Sequence, residues 1–178
     1  ANLWQLAGTE HAVDQLVDLG RIGLQFRWQL GQGLSLLCVV ISTCDAVVST
    51  AGIAKFASLD DLTYDDYFIG LKNKLMGQAN LVRIGKPFVT NHGSFTLTSG
   101  VLSQNPMKGS CAISMVNAGL EGFVRAAAID LPRGLRVNVV SPPWVTETLI
   151  ARNMDPSIGI PADQVAQAYL ASVEGTMT

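Results

Sequence analysis

From Asp45 onward the apolar positions switch between two periods. Asp45-Ala-Val-Val-Ser49 is a short apolar run ending at a Thr-Ala-Gly turn, the pattern of a buried strand. Apolar residues then recur three or four apart, at Tyr64, Phe68, Leu71, Leu75, Ala79 and Val82, which predicts a long helix with one stripe against a core. Its entry carries Asp60, Asp61, Asp65 and Asp66. Acids there suit the positive end of a helix dipole, a structural reading preferred to a metal site. Thr90-Asn-His-Gly93 is turn-like, with His92 expected in a solvated loop, and Ser94-Phe-Thr-Leu-Thr-Ser99 alternates as a strand does. A second long helix is predicted over Ala112 to Ile129, apolar at Ile113, Val116, Leu120, Phe123 and Ala127. Its other face presents Asn117, Glu121 and Arg125 to water or a neighbouring subunit, the last two spaced for an ion pair. Pro132-Arg-Gly134 stops that helix. Leu135 to Val140 is a third strand, closed by Ser141-Pro142-Pro143, and a last helix is expected over about 161–173.

Strand, helix, strand, helix, strand implies right-handed crossovers and a parallel sheet. The fold class is therefore α/β, a doubly wound sheet with helices on both faces. Ligands of such sheets bind beyond the carboxyl ends of the strands. Three loops should meet on that edge: Thr50-Ala51-Gly52, Ser99-Gly100 and Pro142 to Thr146.

The first 44 residues follow a different pattern. His11 to Leu19 could be an amphipathic helix, and Leu34 to Ile41 a strand or part of a helix. Gly20, Gly23, Gly31 and Gly33 make no dinucleotide fingerprint, which needs a strand before it. Composition narrows the functional classes. With 48% hydrophobic and 15% charged residues in 178, the chain is a folded single domain with surface suited to an oligomer. Its net charge of −2 and scattered Lys and Arg give nucleic acid no electrostatic purchase. No apolar run is long enough for a membrane span and no signal-peptide pattern is visible, so no membrane partner is expected. Cys38, Cys44 and Cys111 lack metal-ligand or redox spacing and read as buried thiols of a cytoplasmic protein.

Residues from about Asp45 to Glu147 resemble the short-chain dehydrogenase/reductase family. Ser49-Thr-Ala-Gly52 is similar to its Asn-Asn-Ala-Gly turn, and Gly93 to Gly100 to the strand ending at its catalytic serine. Ala118 to Ala128 is similar to the helix after its catalytic Tyr and Lys. Pro132-Arg-Gly-Leu-Arg-Val-Asn-Val-Val-Ser-Pro142 is the strongest match. The resemblance implies a Rossmann-like domain over the whole chain, with residues 1–44 poorly matched. The segment before Asp45 is too short for the family's usual opening strands and helices, and a final strand would be expected beyond Thr178. Both ends thus depart from the pattern, as truncation or divergence would produce.

The departures continue in the site. The family's Tyr falls on Ile113, its Lys on Asn117, and the active-site Asn of the preceding helix on Lys74, beside Asn73. The glycine of its Pro-Gly pair has become Pro143. The resemblance implies hydride transfer between NAD or NADP and a small carbonyl or activated alkene. It places Ser99 (or Ser103) at the serine position, and Thr50, Ala51, Gly52, Asn117, Pro142, Val145 and Thr146 around the cofactor. Isoleucine has no proton to give, so Lys74 is the candidate replacement, unless, like Lys72, it reaches from its helix to solvent. Trp144 could wall the pocket or pack in the core. The alternative is a non-catalytic binding or assembly subunit, a pseudoenzyme forming a dimer or tetramer through the two long helices.

Overall fold

The computed structural model describes residues 3–6 and 43–176. Four parallel strands lie in the order β1-β2-β3-β4: Leu3–Leu6, Cys44–Ser49, Val89–Thr98 and Arg136–Val140. The expected parallel sheet is present. A strand also stands before Asp45: β1 pairs with β2 from Leu3 opposite Ala46 to Leu6 opposite Ser49. One short strand there is compatible with an opening segment too short for the family's usual strands and helices. The segments 11–19 and 34–41, the early glycines and Cys38 lie outside the described residues.

The first long helix runs from Tyr64 to Gly85 in two parts, α1 (Tyr64–Gly70) and α2 (Met76–Gly85), joined by a wide π-turn at Leu71–Leu75. Thr63 caps it, accepting from the Asp66 N–H while the Asp66 carboxylate accepts from the Thr63 N–H. The Thr63 N–H and the Thr63 hydroxyl, donating to that carboxylate at 3.0 and 2.9 Å, hold the Asp66 carboxyl below its ordinary value. The entry acids therefore include a capping residue. α3 (Cys111–Asp130) is the second long helix, α4 (Thr146–Ala151) a short one that the pattern did not show, and α5 (Ala162–Glu174) the last.

β3 begins earlier than its alternating pattern suggests. Thr90 to Gly93 belong to the strand rather than to a loop, because Val89 already pairs with Cys44 before the register shifts and resumes at Ala46 opposite Ser94. The local turn signal is still expressed, as an irregularity inside the strand where His92 adopts φ 63°. Arg133 braces it, donating to Val89 O and Asn91 Oδ1.

β3 is buried on both faces, and its alternation sorts two kinds of packing. Phe95 and Leu97 enter an apolar core with Val82, Leu120, Val124, Leu135 and Val137. Thr96 and Thr98 face α5 instead, bonded to Ser172 Oγ at 2.7 Å and Tyr169 Oη at 2.8 Å. Helices thus cover both faces. Where β2 ends, the Gln78 side chain continues the ladder: it accepts from Thr98 N–H at 2.8 Å and donates to Thr98 O at 3.0 Å. Gln78→Leu leaves both buried backbone groups unmet. The expected loss is roughly 2–6 kcal/mol at 1–3 per group, read as a lower urea midpoint with unchanged slope.

Candidate active site

The three loops do meet at one edge. Ser99 N–H donates to Val140 O at 2.9 Å, and Val101 N–H donates to Pro142 O at 3.0 Å. Lys74 Nζ donates to Ser99 O at 2.7 Å. On the other side, a Cβ added to Gly52 would stand 2.5 Å from Lys74 Cγ. Gly52 has φ 144°, a backbone state that side chains rarely adopt, so glycine is what lets this turn approach the lysine.

Lys74 is the centre of the mouth. It sits in the π-turn, the kind of helix distortion often found at functional sites. Its ammonium makes a second bond to Asn117 Oδ1 at 2.7 Å. Both acceptors are neutral, and among the described residues no carboxylate pairs with it. Burial of this charge lowers its pKa from 10.5 to about 8. Lys72, by contrast, is exposed, with its ammonium 5.0 Å from the Phe68 ring centre. The neighbouring Asn73 accepts from Ile53 N–H at 2.9 Å, tying the turn to the loop after Gly52.

Behind Lys74 lies a buried carboxylate. Glu121 Oε1 accepts from Ser99 Oγ at 2.9 Å, Ser103 Oγ at 2.6 Å and Ser141 Oγ at 2.8 Å. Burial alone would raise its pKa. Hydrogen bonds from Ser103, Ser141, Ser99 and Gln104 outweigh that and hold it below the ordinary value. The expectation that Asn117, Glu121 and Arg125 form one outward stripe is therefore corrected. Asn117 and Glu121 are buried at 2% and 8% exposure, and only Arg125 faces solvent. The serines, not Arg125, donate to the carboxylate. Helical spacing could not reveal this, since the three serines come from two strand ends and a following turn.

The other candidates sort as follows. Ser99 is 3% exposed and contributes its main-chain carbonyl to Lys74, while its hydroxyl is directed at Glu121 and at Asn117 O. Asn117 donates to Gly100 O as well as accepting from Lys74, so its amide is engaged by protein. Ile113 is half-buried. Val145 bridges to Ile160 through Trp144 O and Thr146 N–H, which leaves the Val145 N–H on the opposite side of the segment. Trp144 is half-buried, Thr50 and Pro143 are exposed, and Ala51 is half-buried. Tyr169 lies on the opposite side of β3 from Ser99. It meets Thr98, whose side chain points to the α5 face, whereas Ser99 points to the α3 face. Cys111 is exposed at the start of α3, not buried as expected. A groove of about 950 Å³ runs along β4 between α3 and α5, away from Lys74.

A family model described as enoyl-(acyl carrier protein) reductase matches residues 39–174, well over half of the chain. The chain belongs to the short-chain dehydrogenase/reductase family. It is 30% identical to an uncharacterized oxidoreductase of Schizosaccharomyces pombe over 115 residues, covering 62% of this chain and 44% of that protein. It is likewise 30% identical to carbonyl reductase family member 4 of Danio rerio, covering 74% and 61%. It thus spans about half the length of the curated relatives it matches. Among solved structures, the protein lin1944 of Listeria innocua shares the fold at TM-score 0.73 and 36% identity, covering 78% of this chain and 70% of that one. A small-chain dehydrogenase solved with NADPH shares it at TM-score 0.67 and 23% identity, covering 78% and 70%. In this short-chain dehydrogenase/reductase, Lys74 from the first long helix reaches Ser99 O and Asn117 Oδ1 at the sheet edge.

Proposed function

We propose that this chain is an NAD(P)H-dependent reductase of small carbonyls, or of alkenes conjugated to a carbonyl, in which Lys74 acts at the substrate oxygen. The observation that carries the reading is the Lys74 ammonium, held at the sheet edge by Ser99 O and Asn117 Oδ1 and paired with no carboxylate among the described residues. Both substrate classes gather negative charge on oxygen as they are reduced. A fixed ammonium in a shielded site stabilises that charge without reorganising. With a pKa of about 8 it can also deliver a proton near neutral pH. With a conjugated alkene, charge stabilisation at oxygen suffices and solvent can protonate the carbon.

The nicotinamide end of the cofactor has a fitting surface. Gly52, exposed and in a backbone state suited to glycine, lets a ribose come close, and the Val145 N–H is a donor the bridge does not use. Thr50, Ala51, Pro142 and Thr146 flank it by the family pattern, while Asn117 serves by orienting Lys74. When bound, the nicotinamide supplies the hydride. Because a structure of the same fold was solved with NADPH, NADPH is the nucleotide to try first.

Steady-state NADPH oxidation with aldehydes, ketones and enones should show turnover, and none above background in a folded sample removes the reductase reading. The rate should fall as pH rises through about 8, because the acting form of Lys74 is the protonated one. A rate still climbing at pH 9 would assign the proton to another group.

A non-catalytic assembly role is the second reading, favoured by apolar side chains left exposed on the two neighbouring long helices. Ile69, Met76, Met115 and Ile129 are 39%, 48%, 42% and 86% exposed. Sedimentation equilibrium should find an oligomer, and a monomer at micromolar concentration would contradict assembly through these helices.

A further inference from the structure

We infer that Glu121 is the positioning residue of this site, bracing through three serine hydroxyls the loop whose carbonyl holds the Lys74 amine. The inference rests on the proposed role of Lys74 and extends it to a residue that touches neither substrate nor cofactor.

The geometry runs through one oxygen. Ser99 and Ser103 lie on the segment after β3, and Ser141 follows β4; all three reach Glu121 Oε1 within 2.9 Å. A carboxylate only accepts, so each of these hydroxyls serves as the donor. The brace thereby fixes the chain on both sides of the Ser99–Gly100 peptide, and Ser99 O is one of two acceptors that hold Lys74. Asn117, one helical turn before Glu121, supplies the other acceptor and also donates to Gly100 O. One face of α3 thus controls both contacts of the amine.

A consequence concerns Ser99. Its single hydroxyl proton lies between two acceptors, Glu121 Oε1 and Asn117 O, at 2.9 and 3.1 Å. A substrate oxygen, also an acceptor, would have to draw that proton from a buried ionised carboxylate. The protein therefore presents the Lys74 ammonium, not the Ser99 hydroxyl, as the donor at the mouth.

The test reads Lys74 without a substrate. Acetic anhydride labelling of the full chain across pH, resolved by mass spectrometry with exposed Lys72 as internal control, gives the Lys74 titration midpoint. The wild type should show a midpoint near 8. Glu121→Ala should move it upward by about one unit or more as the loosened mouth admits water and burial stops opposing the charge. Glu121→Gln, which keeps an accepting oxygen, should stay close to wild type. An unmoved midpoint in Glu121→Ala, or an equal shift in Glu121→Gln, overturns the brace. Should Glu121→Ala fail to fold, the Ser103→Ala/Ser141→Ala double variant removes two of the three struts and must raise the midpoint. On turnover, Glu121→Ala should lose about tenfold or more in kcat at little-changed KM through misplacement of the amine. Ser99→Ala should lose less than Glu121→Ala; a loss as large as that of Lys74→Met overturns the assignment of the donor. A wild type without turnover sinks the reductase reading alone, because the labelling still decides for or against Glu121.

Discussion

Lys74→Met is expected to cut turnover by about 10²–10⁴, the range for loss of a positioned acid, without lowering the melting temperature at pH 7. The two halves of this result have one cause. The folded Lys74 has its pKa lowered from 10.5 to about 8 by burial. Between those values the unfolded chain binds the proton more fully than the folded chain, so stability rises with pH across that window. Below about pH 8 the charge is carried in both states, and its burial opposes folding. Methionine keeps the length of the chain and removes the charge, at the cost of the bonds to Ser99 O and Asn117 Oδ1. The advantage of the variant should be greatest at neutral pH and shrink toward pH 10. NADPH oxidation and thermal melts at both pH values check it. A variant that keeps its rate, or melts far below wild type at pH 7, contradicts the role of this amine. The trade of stability for activity is the ordinary signature of a functional site.

Phe95→Ala should destabilise the fold severely. The ring is fully buried in β3 and joins the core formed with Val82, Leu120, Val124 and Val137. On its α2 side it packs so closely on Gly85 that an added Cβ there would lie 3.2 Å from Cε1. Truncation removes the ring and leaves a cavity that a packed parallel sheet cannot collapse around, about 3–5 kcal/mol. That is a large share of the ~5–15 kcal/mol that holds a typical domain together. Urea unfolding followed by circular dichroism should show the extrapolated unfolding free energy falling by that amount. A loss under about 1 kcal/mol would mean that the core repacks.

The helices and the central strands were legible because each carries one clear period. The stripe from Tyr64 to Val82 and that from Ile113 to Ala127 fix both long helices within a few residues. The family likeness was also legible, since the segments around Gly52, Ser99, Gly119 and Pro142 stand in the right order. The polar positions were harder to read. Thr96 and Thr98 alternate with Phe95 and Leu97 as if facing water, yet both are buried under α5 and matched by Ser172 and Tyr169. Glu121 offered a helix-surface pattern with Arg125, and only the fold brings three serines to it. Thr90 to Gly93 carry turn residues, yet cross-strand pairing at Val89 absorbs them into β3. In each case a contact between distant segments outweighed local preference, and a single sequence holds no period for that.

The wide turn at Leu71–Leu75 has a consequence for how this lineage could change. One surplus residue in a helix must be accommodated somewhere, or every later side chain rotates by about 100°. Here the surplus is confined to a single loop of backbone, so Ala79 and Val82 after it are still buried in the core. The polar pair Asn73-Lys74 is swung inward as the by-product. Deleting one residue to regularise the helix would restore ideal backbone bonding and carry the amine out of the mouth. The irregularity and the chemistry would be lost together.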